Sequence, residues 1–340
     1  MIRALPPGTV LRSRYKIIKL VGQGGAGAVY QAEDLRLEGR MCALKEVCPE
    51  PGASPSTLAQ AQQQFHREAS TLARLDHPNL PKVSDYFSQD ERDYLVMDFV
   101  AGPNLKEMVD EARRKHQFLS EEQVLAWARQ LCDALRYLHS QDPPVLHRDI
   151  KPANIKLTPQ GQIKLVDFGL VKPMDPNDPR TVTAVRGLGS LPYTPLEQYG
   201  GGLGHTDVRS DIYSLGATLY HLLTGRAPAT AQERFLEPDA LPSPRSLNPR
   251  ISPRTEQVIL QAVAMHPDQR PATVAALQEA LFSSTPLPEL FAASPVSGPS
   301  LWVAVMDNAQ FIALVLALLL LAILVTWRSA SPPSWPSIVP

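Results

Sequence analysis

The chain has 340 residues, a formal net charge of −1 and 20% charged side chains. That length can bury a substantial core, and the charge balance gives no electrostatic case for nucleic acid as the main partner. Its three cysteines, Cys42, Cys48 and Cys132, show no zinc-site spacing and are too few and odd in number for a disulfide scaffold, which favours a reduced, cytosolic compartment.

In chain order, residues 1–15 lack the apolar stretch of a signal peptide. The pattern then predicts a small strand-rich unit ending near Met97. Runs at 15–21, 29–34 and 41–47 read as strands around a glycine cluster, and a helix carries Phe65, Ala69, Leu72 and Leu75 at intervals of three or four. Residues 94–97 (YLVM) read as a buried strand leading into a connector at 98–102. Residues 103–282 read as mostly helical. The stretch 122–139 has an apolar stripe of Leu125, Trp127, Ala128, Leu131, Leu135 and Leu138, and 212–223 is a second, strongly apolar helix. Prolines cluster at 173–195, 228–253 and beyond 285, which reads as two surface loops and a linker. There is no long-period repeat. At 311–327 the run FIALVLALLLLAILVTW is 17 uncharged residues, at the lower limit for a bilayer-spanning helix. A buried core helix is the alternative, but the run is apolar on every face and lies past the last motif described below.

Seven short motifs occur in one order. They are Gly22-Gln23-Gly24-Gly25-Ala26-Gly27-Ala28-Val29, Ala43-Leu44-Lys45, Glu68, His147-Arg148-Asp149 through Asn154, Asp167-Phe168-Gly169, Pro195-Leu196-Glu197, and Asp211. The glycines alone are a weak signal. A dinucleotide site would follow them with a helix, whereas residues 28–32 are strand-like, so these glycines sit at a hairpin tip where N–H groups can approach phosphate oxygens. A flexible turn would explain the glycines in isolation, a solvated edge charge would explain Lys45, and a surface helix carboxylate would explain Glu68.

Taken together, the motifs resemble the eukaryotic-type serine/threonine protein kinases of bacteria over roughly residues 12–282. The resemblance implies an α+β, two-lobed fold: an N-lobe at 12–97, a hinge at 98–102 and a C-lobe at 103–282. A linker at 283–310, a membrane helix at 311–327 and a tail at 328–340 would follow. It implies ATP with Mg²⁺, or Mn²⁺, as cofactors. The nucleotide would lie against Val21, Gly22, Gly24, Gly25, Gly27, Val29, Ala43, Lys45, Met97, Asp98, Val100 and Lys156, with Glu68 holding Lys45. Asp149 would be the catalytic base, Lys151 would offset charge on the transferring phosphoryl, and Asn154 and Asp167 would hold the metal. Phe168 would pack under the helix bearing Glu68 and so couple metal placement to helix position, and Gly169 beside it would be structural. Ser190 would touch Asp149 and Lys151, Glu197 would pair with Arg270, and Asp211 would brace the catalytic loop. Arg148, beside the base, implies control by phosphorylation at Thr181 or Thr183.

Two departures stand out. Pro195 lies one place earlier than the usual Ala-Pro-Glu pattern has it. Lys156 occupies a position where an apolar floor for the adenine is usual; its methylene stem can serve while the ammonium turns outward. The expected partners are proteins bearing Ser or Thr, the lipid bilayer and a second copy for trans-autophosphorylation, with no nucleic acid. A pseudokinase scaffold and a small-molecule phosphotransferase are the rival readings. The first would have been favoured by loss of Lys45, Asp149, Asn154 or Asp167, and Lys151 with the segment ending at Glu197 argues against the second. Residues 283–310 have no Lys or Arg whereas Arg328 follows the apolar run, so a charge count alone would put the C-terminus in the cytoplasm. The need for ATP instead places the kinase domain of a single-pass protein on the cytoplasmic side of the cell membrane.

Overall fold

The structure, a computed structural model, describes residues 4–24, 27–47, 54–167, 188–199 and 206–283. Strands β1 (Val10–Leu11), β2 (Tyr15–Gly24), β3 (Gly27–Asp34) and β4 (Met41–Val47) precede helix α1 (Pro55–Arg74), after which come β5 (Val83–Gln89) and β6 (Arg92–Asp98). They form one sheet in the order β1-β2-β3-β4-β6-β5, antiparallel throughout. Period-two alternation sorts the side chains. Ala28, Tyr30 and Ala32 of β3 and Cys42 and Leu44 of β4 are buried and join Tyr15, Ile17, Phe87, Tyr94 and Val96 in one core. The opposite face carries Val29, Ala43 and Lys45. The register sets Val29 against Lys45 and Ala43 against Met97.

The hairpin of β2 and β3 closes where Gly24 pairs with Gly27. Gly27 has φ +148°, and a Cβ there would fall 1.8 Å from the Glu46 carbonyl oxygen, so only glycine fits. Helix α1 starts with Ser54 accepting from the Thr57 N–H and with Pro55 in its first turn, both favourable at a helix start. It buries Phe65, Ala69, Leu72 and Glu68, with Leu75 buried just past its end.

The second lobe contains α2 (Leu105–Arg114), α3 (Glu121–His139), a two-stranded ribbon of β7 (Ile155–Leu157) and β8 (Ile163–Leu165), and α4 (Val208–Thr224). Helices α5 (Ala231–Leu236), α6 (Pro244–Leu247), α7 (Pro253–Ala262) and α8 (Val274–Phe282) complete it. Helix α4 is buried at every residue from Ser210 to Thr224, which makes it the pillar of the lobe. It is capped by Asp207 and ends at Gly225 in the left-handed conformation, φ 69°.

The strand-rich lobe followed by a helical lobe is the predicted α+β arrangement. Details differ. Strands β1 and β5 have no counterpart in the sequence reading. The buried stripe of α3 starts at Val124, not Leu125, because positions 124, 127, 128 and 131 keep the helical spacing and leave Leu125 half-buried at its edge. Helix α4 begins four residues before the apolar run, where Asp207 supplies the cap. Gly25, Phe168, Gly169, Thr181, Thr183 and the proposed membrane segment 311–327 lie outside the described residues. Among the described residues, no helix is long and apolar enough to cross a membrane.

Candidate active site

Three backbone elements converge between the lobes: the open face of β3 and β4, the loop from His147 to Asn154, and the turn after β8 that carries Asp167. Lys45 projects from β4 and is ion-paired with Asp167 Oδ1. Burial pushes the Asp167 carboxyl up, but Lys45, Lys151 and His147 outweigh it and hold the group below the usual carboxylate range. Asp167 also has φ 57°, an uncommon conformation for a residue with a side chain. Glu68, 2% exposed on α1, accepts from Gln64 Nε2 at 2.8 Å. Lys45 and Glu68 line the same small pocket with Val47, Phe65, Ala69, Leu72 and Leu95.

The catalytic-loop candidates form a closed network. Lys151 Nζ donates to both Asp149 carboxylate oxygens, at 2.9 and 2.7 Å, and to Ser190 Oγ at 2.7 Å. Asn154 Nδ2 donates to the Asp149 carbonyl and to its Oδ2, each at 2.9 Å. Ser190 thus meets Lys151, and reaches Asp149 through it.

Asp211 fixes the loop from below. Its carboxylate accepts from the backbone N–H of His147 at 2.9 Å and of Arg148 at 2.8 Å, and it contacts His139 Nε2 at 2.9 Å. Burial opposes ionisation of Asp211, yet His139, His147 and the Arg148 N–H outweigh it and lower its pKa. The bonds from Asp211 hold Arg148 at φ 65°, a strained conformation of the kind found near functional sites. The Arg148 side chain is 7% exposed, and its Nε and one terminal nitrogen have no hydrogen-bond partner among the described residues. Burial lowers its pKa, while Asp211 and Glu68 work the other way. His139 is a residue that the sequence reading missed; its distance of 72 positions from Asp211 left no local signal.

Glu197 and Arg270 meet in a two-pronged contact of 2.6 and 3.2 Å. The proline shift at Pro195 leaves this anchor in place.

At the hinge side, Lys19, Leu20, Val21, Phe99, Ala101, Gly102 and Lys156 line a cleft of about 400 Å³. Met97 and Val100 are buried, whereas Asp98 is half-buried and contacts Arg40 at 3.7 Å. Gly102, at φ 108°, lets the chain pass β7, because a Cβ there would lie 2.0 Å from the Leu157 carbonyl oxygen. Lys156 is half-buried and forms an antiparallel bridge with Asn104. Lys19, Leu20, Phe99, Ala101 and Gly102 are further lining residues that no motif marked.

The donor set fits a magnesium nucleotide. Asp167 and Asn154 offer hard oxygens, and Mg²⁺ takes its remaining ligands from phosphate and water rather than from a protein cage. Among the described residues there is no group of three or more His, Cys, Asp or Glu that could hold a metal by itself.

Comparison with known proteins agrees with this geometry. Residues 15–282 match the protein kinase domain model. A probable serine/threonine-protein kinase of Streptomyces coelicolor is 35% identical over 76% of this chain and 38% of its own length. Serine/threonine-protein kinase PrkC of Bacillus subtilis is 33% identical over 77% of this chain and 39% of its own length. The chain therefore spans about two-fifths of the length of these relatives. Among solved structures, the kinase domain of Mycobacterium tuberculosis PknI superposes with a TM-score of 0.62 at 27% identity, covering 82% of this chain and 98% of that one. The chain belongs to the protein kinase family.

Proposed function

We propose that the protein transfers the γ-phosphoryl group of Mg-ATP to serine or threonine hydroxyls of other proteins. The observation that carries this reading is the network in which Lys151 and Asn154 both hold the Asp149 carboxylate while Lys151 also grips Ser190. The acceptor oxygen attacks the γ-phosphorus, the bond from that phosphorus to the bridging oxygen breaks, ADP leaves, and the hydroxyl proton passes to Asp149. Lys151 offsets negative charge on the transferring group. Lys45 binds the α- and β-phosphates, with Glu68 as its orienting partner. Asn154 and Asp167 would hold Mg²⁺, whose charge neutralises the phosphates. Val21, Val29, Ala43, Met97, Val100 and the stem of Lys156 enclose the base, and the glycines from Gly22 to Gly27 cover the phosphates.

Two finer features belong to the same reading. Phosphorylation at Thr181 or Thr183 gives the buried Arg148 guanidinium an anionic partner and raises activity. The run at 311–327 anchors the protein, with the kinase domain cytoplasmic and neighbouring copies concentrated for autophosphorylation. The anchor is tested by alkaline carbonate washing of membranes. The full chain should stay in the pellet, and release into the wash would contradict it.

The kinase reading is tested by incubating the full chain with ATP and a generic acceptor such as myelin basic protein, then mapping phosphate by mass spectrometry. Wild type should modify Ser and Thr, and Lys45→Met should modify neither. Equal labelling by both would show that the site is misassigned.

A further inference from the structure

Helix α4 holds two parts of the site at once. Asp211 and Thr218 fix the catalytic loop, the latter donating to the Ile150 carbonyl at 3.3 Å. Ser214 and His221 fix the segment Leu188–Tyr193, which carries Ser190. The Ser214 hydroxyl donates to the Tyr193 carbonyl at 2.8 Å. The Tyr193 hydroxyl and His221 Nδ1 are hydrogen-bonded at 2.6 Å, with the two rings stacked at 6.1 Å. Tyr193 and His221 are each 7% exposed. No step of the mechanism above uses His221, and no motif marked it.

The geometry gives that histidine a task. Tyr193 is gripped at its backbone by Ser214 and at its ring tip by His221, so both its position and its rotation are set by one rigid helix. Three residues before it, Ser190 Oγ accepts from Lys151, whose ammonium also holds Asp149. The distance between Ser190 and Lys151 therefore depends on two attachments to the same helix. Loosening the Tyr193 end would leave a buried hydroxyl without a partner and free the segment to shift. Burial pushes the His221 pKa down to about 4, so the ring that Tyr193 meets is uncharged near neutrality.

We propose that His221 is a positioning residue for phosphoryl transfer, acting through Tyr193 to keep Ser190 on Lys151 and Lys151 on Asp149. This rests on the kinase reading of the site. Misplacement of reacting groups by about an ångström costs on the order of 100-fold in rate. The loss should fall on kcat, because neither His221 nor Tyr193 lines the pocket beside Lys45 or the hinge-side cleft.

The test uses the full chain with ATP and myelin basic protein as the probe acceptor. His221→Leu should lower kcat by roughly 10–100-fold and leave the KM for ATP within about twofold. His221→Asn, which returns a polar atom near the Nδ1 position, should recover most of the loss. Tyr193→Phe, which keeps the ring and removes only the hydroxyl, should reproduce the defect, and it serves if His221→Leu does not fold. In a Ser190→Ala background, His221→Leu should cost little more, since the path through Ser190 is already cut. Full activity of both His221→Leu and Tyr193→Phe would overturn the proposal, as would equal losses with and without Ser190. Failure of the kinase reading looks different: wild type would then label no acceptor, or Asp149→Asn would label as well as wild type, and the proposal would fall with it.

Discussion

Replacing Arg270 with methionine should destabilise the second lobe severely. The Arg270 side chain is 0% exposed and Glu197 5%. Besides its two bonds to Glu197, the guanidinium donates to the carbonyls of Ala264 at 2.7 Å, Met265 at 2.9 Å and Arg209 at 3.2 Å, and its carbon lies 4.9 Å from the Tyr213 ring centre. Methionine fills part of the volume but leaves Glu197 with only the Ser210 hydroxyl, 2.9 Å away, as a partner among these contacts. Breaking a buried pair from one side costs about 3–5 kcal/mol, most of it the penalty of the stranded charge. For a domain of this size, each kcal/mol lowers Tm by about 2–4 °C, so a fall on the order of 10 °C is expected. Urea and thermal unfolding followed by far-UV circular dichroism would measure it. Arg270→Met with Glu197→Leu should lose less than the sum of the single losses, because neither charge is then stranded. A loss below about 1 kcal/mol for Arg270→Met alone would refute the argument that burial sets the cost.

Three further outcomes follow from the site. Lys156→Met should lower the KM for ATP a few-fold, because an apolar side chain replaces an ammonium at the base-binding cleft; an unchanged or higher KM in steady-state assays would contradict this. Acid should destabilise the fold partly through His221. The unfolded chain takes up its proton below about 6.5, the folded chain only near 4, so the contribution is complete above pH 6.5 and disappears as pH falls toward 4, about 3 kcal/mol in all. Buried His147 and half-buried His77 act in the same direction, so the comparison of wild type with His221→Asn across pH 4–7 by chemical denaturation isolates this one group. Mass spectrometry of protein expressed in an ATP-replete cell should find phosphate on Thr181 or Thr183, and fully active enzyme bearing neither would sink the role given to Arg148.

What the sequence made legible was governed by local chemistry. Gly27 is needed where the backbone crowds Glu46, and Lys45 falls on the open face because β4 alternates strictly from Met41 to Val47. Periodicity separated a strand-rich part from a mostly helical one, and the resemblance to protein kinases implied the two lobes. What stayed hidden depends on chain folding back over long separations. His139 reaches Asp211 from 72 residues away, and Tyr193 meets His221 from 28, with no spacing rule to announce either. The edge strand β1 is two residues long, too short for alternation to register. The α3 stripe differs by one residue at its start because Leu125 fits the apolar pattern as well as Val124 does, and only packing separates them.

The most direct test of the account is a paired measurement on Asp149→Asn: the rate of γ-phosphoryl transfer to a protein acceptor, and the Kd for ATP. Asparagine preserves the shape and leaves Lys45, Asn154 and Asp167 in place, but it cannot accept the hydroxyl proton. Loss of a general base should lower the rate by about 10²–10⁴-fold, with Kd changed by less than about threefold. Transfer at the wild-type rate would contradict the assignment of Asp149 and with it the account of the site.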